Sequence, residues 1–353
     1  EFSETFQRIC AEARSAFGNG DVYLERYISS LRHVEVQILR DVHGHTKVLG
    51  LRDCSVQRNN QKLIEESGST MLPPELEQSV NGYAAQIVDA IGYVGAGTVE
   101  FIYDLTRQEV YFMEMNTRLQ VEHPVTETVS GVDIVSTQFR IARGESIASV
   151  AARPEGYSME LRINAERAFI NADGVLSFIP CPGEVTVFRF PASDGISMIR
   201  AIDAGKTVTP YYDSMIVQLI GHAPDRDSVI RLLRSYLDKV EIRGLSTNIP
   251  VLKGILDDSV FRNGIYDTTY LLTFMYRLDT KALVAEMEAD AGGMGRTLDL
   301  DALRIPGSDE LKVPAPSAGV FYRTPSPGEP EFVRAGDIID VRRTLCLMEA
   351  MKC

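Results

Sequence analysis

Helical and strand periodicities follow one another along the chain in an order that divides it into parts. Apolar Phe6, Ile9, Cys10, Ala13 and Phe17 recur at helical spacing, so residues 2–17 read as an amphipathic helix. Residues 22–27 read as a short strand, and 33–40 with 46–51 as a hairpin turning at His43 and Gly44. Pro73 and Pro74 open a helix whose Leu76, Val80, Tyr83, Ala84 and Ile87 share a face, because a first turn tolerates proline's missing N–H. β-Branched and aromatic residues mark strands over 97–103 and 110–116, joined by the polar run 104–108. Another helix is expected over 133–142. Between 157 and 220 short strands are broken by Cys181, Pro182, Gly183 and Pro191, and then Val229, Leu232, Leu233, Tyr236, Leu237 and Val240 line one side of a helix. Past Leu278 the texture changes: 280–311 combines an acidic helical stretch, 283–290, with a glycine-rich run, and reads as a linker. The mixture predicts an α+β protein.

Composition narrows the function classes. A chain of 353 residues can bury more than one core, and a net charge of −13 argues against nucleic acid or anionic membrane as a partner. Most of that acidity is expected on a solvated surface. Cys10, Cys54, Cys181, Cys346 and Cys353 show no paired metal-ligand spacing, and an odd number without a secretory signal fits free thiols in a reducing compartment. No apolar run reaches the ~18 residues of a membrane span. The first residues are neither basic nor apolar enough for a targeting peptide, so the expected location is cytoplasmic, or the plastid in a eukaryote.

The chemistry concentrates in 114–127, where carboxylates, an arginine and a histidine crowd a segment that begins as a strand. If the 104–108 turn centres near Arg107, Glu100 lies opposite Glu114, and period-two alternation puts Asn116 on the same face. Two like charges directly opposite repel, and a hard cation resolves the repulsion. Oxygen donors that are few in number suit Mg²⁺ (or Mn²⁺) shared with substrate phosphates. The competing reading is a solvated hairpin face with incidental acids.

This segment, the run 52–58 (Arg-Asp-Cys-Ser-Val-Gln-Arg), Gln61 and Lys62, the run 162–166 (Arg-Ile-Asn-Ala-Glu) and the run 210–215 (Pro-Tyr-Tyr-Asp-Ser-Met) together resemble the biotin carboxylase family of ATP-grasp ligases, in order, from about residue 21 to 278. The resemblance implies a two-step reaction in which ATP and bicarbonate give carboxyphosphate, whose CO₂ passes to N1′ of biotin. It also implies that the chain enters in mid-domain, residues 1–20 being the end of a lid over the ATP phosphates.

The same resemblance implies roles. Glu25, Arg26 and Ile28 match an adenine-binding hinge, Glu25 accepting from the exocyclic amine, although a plain buried strand would look alike. His33 and Gln57 match nucleotide-contacting positions, and the competing reading is a pair of satisfied polar side chains in a hairpin. Asn60 stands where the family usually has histidine; an amide supplies one of the same hydrogen bonds without charge. Lys62, Arg118 and the backbone of Val121 match the bicarbonate cradle, Glu122 the general base, and Arg162 with Arg118 the cations facing the ureido oxygen of biotin. The alternative for Arg162 is an ion pair with Glu160 or Glu166.

At the carboxyl end, the run 313–319 (Val-Pro-Ala-Pro-Ser-Ala-Gly) followed by Glu349, Ala350, Met351 and Lys352 resembles a biotin carboxyl carrier domain, with Lys352 as the biotinylated residue. Met348 and Met351 are otherwise simple core residues. The chain ends one residue past Lys352, which implies a partial, biotinyl/lipoyl-like β-sandwich, and Cys353 departs from the usual methionine. Residues 324–330 resemble the thumb of carriers from bacterial and plastid acetyl-CoA carboxylases. The expected division is therefore 1–20, end of the lid; 21–150, ATP-grasp core; 151–278, biotin carboxylase C-terminal subdomain; 279–311, linker; 312–353, partial carrier. The expected function is biotin carboxylation, the first half-reaction of acetyl-CoA carboxylase in fatty acid synthesis. Its cofactors are ATP, Mg²⁺ and biotin, and its partners are carboxyltransferase, biotin protein ligase and further copies of the chain. Two rivals remain: another acceptor, such as a longer acyl-CoA, pyruvate or urea, and a non-catalytic carrier or scaffold fragment.

Overall fold

The computed structural model describes residues 2–170 and 176–290 and, towards the carboxyl end, 320–324, 330–334, 336–338 and 346–349. Helix α1 (Phe2–Phe17) precedes strands β1 (Leu31–Arg40), β2 (Thr46–Arg58) and β3 (Gln61–Ser67). Then come α2 (Pro74–Ala90), β4 (Gly95–Asp104), β5 (Glu109–Asn116), α3 (His123–Ser130) and α4 (Ile134–Ala142). Strands β6 (Tyr157–Asn164), β7 (Glu166–Ile170), β8 (Leu176–Pro180), β9 (Gly183–Glu184), β10 (Val187–Arg189), β11 (Ile196–Arg200), β12 (Thr207–Val208) and β13 (Met215–Ala223) follow. The remaining elements are α5 (Arg226–Leu237), β14 (Glu241–Arg243), α6 (Ile249–Asp257), α7 (Ser259–Arg262), α8 (Tyr270–Arg277), α9 (Thr280–Asp290), β15 (Val320–Tyr322) and β16 (Leu347–Glu349).

Eight strands form one antiparallel sheet in the order β11-β13-β6-β3-β2-β1-β4-β5. Alternation along β1 decides its two faces: Val34, Val36 and Ile38 pack against Val80, Ala84 and Val88 of α2, while His33, Glu35 and Gln37 point the other way. Asn59 and Asn60, at φ of 52° and 62°, make the two-residue turn between β2 and β3, the left-handed pair that such a hairpin requires. In the β4–β5 turn the Asp104 side chain accepts from the N–H groups of Thr106 and Arg107, which fixes Asp104 opposite Glu109; a bulge between Glu100 and Phe101 then shifts the register by one residue and sets Glu100 opposite Glu114. Asp133 caps α4, accepting from Ser136 N at 2.7 Å.

The sheet runs unbroken across residue 150, because β6 pairs with β3 on one side and β13 on the other. Val56, Leu63 and Ile64 accordingly share one core with Met159, Leu161 and Ile163 and with residues of α5 and α6. Three expectations need correction. Residues 21–28 form no strand, their backbone lacking a strand partner among the described residues. Tyr83 of α2 is half exposed, and Val88 takes the buried position one turn on. Residues 280–290 are not linker: α9 packs on β7 and α6, with Leu283 and Met287 buried. Helix α1 has the predicted periodicity, but none of its residues is buried. Near the carboxyl end β15 pairs antiparallel with β16, and Lys352, Cys353 and most of 291–319 and 324–330 lie outside the described residues. No helix among the described residues is long and apolar enough to cross a membrane.

Candidate active site

The polar face of β1 is the floor of the site. Arg52, Glu35, Glu100 and Glu114 form a single cross-strand row on β2, β1, β4 and β5. Like charges therefore meet twice, at Glu35 with Glu100 and at Glu100 with Glu114. The first meeting is neutralised: Arg52 Nε lies 2.6 Å and Lys62 Nζ 2.8 Å from Glu35, and His33 Nε2 lies 2.8 Å from Glu100. The second is bridged, among the described residues, by the Asn116 amide, 2.9 Å from Glu100 and 3.3 Å from Glu114. Turning that amide presents its oxygen, so the predicted trio offers an oxygen-only donor set with Glu114 at the open edge. The residues fit a hard divalent cation.

Burial by itself would raise Glu35 and Glu100, yet both fall to about 2. Lys62 and Arg52 lower Glu35, while the His33 hydrogen bond and the charge of Lys62 lower Glu100. Burial also opposes the charge on Lys62, but Cys54 and the carboxyls of Glu35, Glu122 and Glu100 more than offset it.

Glu122 stands at the start of α3, where the helix N-terminus favours an anion. Its two oxygens are held from two sides, by Lys62 Nζ at 2.5 Å and by an Arg162 terminal nitrogen at 3.0 Å. Arg162 also donates through Nε to Glu65 at 2.6 Å, so its partners are Glu65 and Glu122, not the expected alternatives Glu160 or Glu166. Glu166 pairs instead with Arg58. The Val121 carbonyl accepts from Gln218 Nε2 at 2.6 Å, which orients the peptide just before Glu122. Arg118 is exposed and, among the described residues, forms no salt bridge; it donates to the Leu119 carbonyl at 3.2 Å, and no contact joins it to this group there.

The predicted nucleotide contacts separate into two sets. His33 and Gln57 are brought together in the floor, Gln57 Nε2 donating to His33 Nδ1 at 2.7 Å, which leaves His33 Nε2–H to donate to Glu100. Glu25, Arg26 and Asn60 are exposed and Ile28 is half-buried; Arg26 reaches Tyr111 at 3.4 Å, and Asn60 sits at the hairpin turn. The buried-strand alternative for Glu25 therefore does not hold.

Several members escaped the sequence reading. Glu35, Glu65, Gln120 and Gln218 had no predicted role, Glu160 was expected only as an alternative ion-pair partner of Arg162, and Arg52 stood only within a motif. Arg52 donates to Gln37 and Thr126 at 2.9 Å as well as to Glu35, tying α3 to the sheet. Gln120 donates to Glu100 at 2.7 Å. A signal existed: in 33–38 and 159–164 polar and apolar residues alternate strictly, and polar positions buried on a strand converge on something.

Two family models match the chain in succession, the carbamoyl-phosphate synthase L chain ATP binding domain over residues 1–150 and the biotin carboxylase C-terminal domain over 160–273. Biotin carboxylase 1 of Bacillus subtilis is 44% identical over 265 residues, 74% of this chain and 58% of that protein. The 2-oxoglutarate carboxylase small subunit of Hydrogenobacter thermophilus is 44% identical over 273 residues, 77% of this chain and 56% of that one. The chain thus spans little more than half the length of these relatives. The solved biotin carboxylase domain dimer of the Hydrogenobacter enzyme, in complex with MgADP, ADP and bicarbonate, superimposes with a TM-score of 0.70 at 43% identity, covering 77% of this chain and 59% of that one. The order of the two domain matches, the shared fold and the depth of identity carry one conclusion: the chain belongs to the biotin carboxylase family of ATP-grasp proteins.

Proposed function

We propose that the chain carries the site for ATP- and bicarbonate-dependent carboxylation of biotin. The observation that carries this reading is the clasp of Glu122 between Lys62 and Arg162, next to the paired carboxylates Glu100 and Glu114. Mg²⁺ or Mn²⁺ at Glu100, Glu114 and Asn116 would neutralise charge between ATP phosphates. Lys62, Arg118 and the Val121 backbone hold bicarbonate by charge-assisted hydrogen bonds. Glu122 takes the bicarbonate proton, and bicarbonate oxygen attacks the γ-phosphorus as ADP leaves. The resulting carboxyphosphate releases CO₂ and phosphate; phosphate accepts the N1′ proton of biotin while the new C–N bond forms. Arg162 and Arg118 face the ureido oxygen, where negative charge develops. Glu25, Arg26, Ile28, His33, Gln57 and Asn60 serve the nucleotide.

The resemblance of 313–319 and 349–352 to a carrier domain is what supports a fused carrier with Lys352 as its biotin attachment point. Resemblance of 324–330 to a thumb favours acetyl-CoA as final acceptor. The relation to a 2-oxoglutarate carboxylase subunit favours the second reading, another acceptor. Carboxyltransferase and biotin protein ligase are the proposed partners, a homo-oligomer the proposed assembly, and the cytoplasm or plastid the proposed location.

The test is phosphate release from MgATP with free biotin, with and without bicarbonate. In an intact version of the protein, extended upstream to include a lid over the ATP phosphates, bicarbonate-dependent release is expected, and Glu122→Gln should lower it about 100-fold or more because shape is kept and the base removed. Arg162→Ala should harm carboxyl transfer to biotin more than ATP cleavage. Release indifferent to bicarbonate, or unchanged in Glu122→Gln, overturns the reading.

A further inference from the structure

Glu65 on β3 and Glu160 on β6 are cross-strand partners, so their side chains leave the same face of the sheet in register. Both are fully buried. Each has one satisfied oxygen: Glu65 Oε1 accepts from Arg162 Nε at 2.6 Å and Glu160 Oε1 from Gln218 Nε2 at 3.1 Å. In each the other oxygen, Oε2, has no hydrogen-bond partner among the described residues.

The groups facing this pair cannot balance two anions. Arg162 of β6 is shared with Glu122 at the start of α3, and Lys62 of β3 is committed to Glu35 and Glu122. From β13 comes the neutral amide of Gln218, and from β2 the buried thiol of Cys54. Two carboxyl groups on directly opposite buried residues, each with an orphaned oxygen, are costly if both are ionised, whereas one proton makes one of them a donor and the other an acceptor.

We propose that Glu160 is a further positioning residue of this site, holding a proton that it donates to Glu65 across β3 and β6, so that Glu65 alone stays anionic and anchors Arg162 beside Glu122. Burial and then repulsion from Glu65 push Glu160 well above the ordinary carboxyl value, in line with this arrangement. Burial lifts Glu65 as well, but less far, because the Arg162 guanidinium pulls against it, and this leaves Glu65 as the anion of the pair. A second anion at Glu160 would draw the guanidinium away from Glu122. The consequence for biotin rests on the role of Arg162 proposed above; the shared proton does not.

The proton can be read without turnover. Infrared spectra of the purified chain at pH 7 should contain the carbonyl stretch of a buried protonated carboxyl, and this band should be missing in Glu160→Gln, whose amide keeps shape and donor. In Glu65→Gln the pH at which the band disappears should fall by roughly one unit or more, because the facing anion is gone. Circular dichroism checks that both variants fold, and carbon-13 spectra of carboxyl-labelled glutamate in the unaltered chain give the same proton's titration should either fail. No protonated carboxyl at pH 7, a band that survives Glu160→Gln, or a titration indifferent to Glu65→Gln overturns the proposal. None of these outcomes depends on whether the chain carboxylates biotin.

Discussion

Glu35 and Glu160 are both fully buried glutamates in the middle of the same sheet, yet burial leaves one charged and the other neutral. The difference lies in their neighbours. On the β1–β2 side Glu35 is clasped by Arg52 and Lys62, and Arg52 is further satisfied by Gln37 and Thr126. On the β3–β6 side Glu65 and Glu122 share Arg162, Glu160 stands opposite Glu65 with only a neutral amide donor, and two carboxyl oxygens lack donors among the described residues. One bank matches each anion with a cation and hydrogen bonds; the other carries more acid than cation and resolves the excess with a proton. A buried carboxylate is thus no fixed quantity: the inventory around it decides its charge. The Lys62–Glu122 contact joins the two banks, so the proposed base sits where they meet.

The sharpest way to break the contrast is to remove the cation of the matched bank. Arg52→Met keeps the volume but strands Glu35 with Lys62 alone and withdraws the donor from Gln37 and Thr126. Breaking a buried pair from one side typically costs about 3 to 5 kcal/mol, and urea denaturation should show a loss in that range. As a control, Arg189→Ala removes an exposed pair with Glu241 and should change stability by less than about 0.5 kcal/mol. Equal losses in the two variants would mean that the matched bank contributes nothing special.

Acid should dismantle that same bank. Because the folded value of Glu35 is depressed to about 2 from an ordinary 4.5, its contribution is fully present above pH 4.5 and is lost as pH falls toward 2. The shift corresponds to about 3 kcal/mol for this buried group. Glu35→Gln should therefore start less stable at neutral pH and show a flatter decline between pH 4.5 and 2. Parallel declines in the two proteins would place the acid sensitivity elsewhere.

What the sequence made legible follows from how far each signal reaches along the chain. The Glu100–Glu114 pairing appears as expected, a local hairpin feature, but it is reached through a bulge between Glu100 and Phe101 that a period of two does not announce. The helices α2, α4 and α5 announced themselves by proline, an Asp cap and apolar spacing. Glu65 with Glu160 was hidden because β3 and β6 lie far apart in the chain, and nothing local says that they pair. Acidic composition misled at α9: Leu283 and Met287, one helical turn apart and flanked by the partly buried Val284, bury enough to dock a helix that also carries Lys281, Glu286, Glu288 and Asp290. Residues 21–28 carry strand-forming side chains, but a strand needs a partner, and their sequence could not say that none pairs with them among the described residues.

The smallest effect has the most telling sign. A carboxyl whose folded value is raised favours the folded state at low pH, where it is protonated in both states, and works against it as pH rises through the folded value. On the acid-rich bank Glu160 is raised by burial and by Glu65, the reverse of Glu35. Glu160→Gln should therefore be close to neutral near pH 5, within about 1 kcal/mol, since amide and protonated acid have the same shape and both can donate. As pH rises above 7 the unaltered chain must either ionise a buried group or hold its proton against solution, and the variant should become the relatively more stable of the two. Melting temperatures across pH 5 to 9 should then diverge upward for Glu160→Gln, while Glu35→Gln shows its only divergence at the acid end. A variant that loses stability most at high pH would mean that Glu160 is an anion paired like Glu35, and the two banks would be alike.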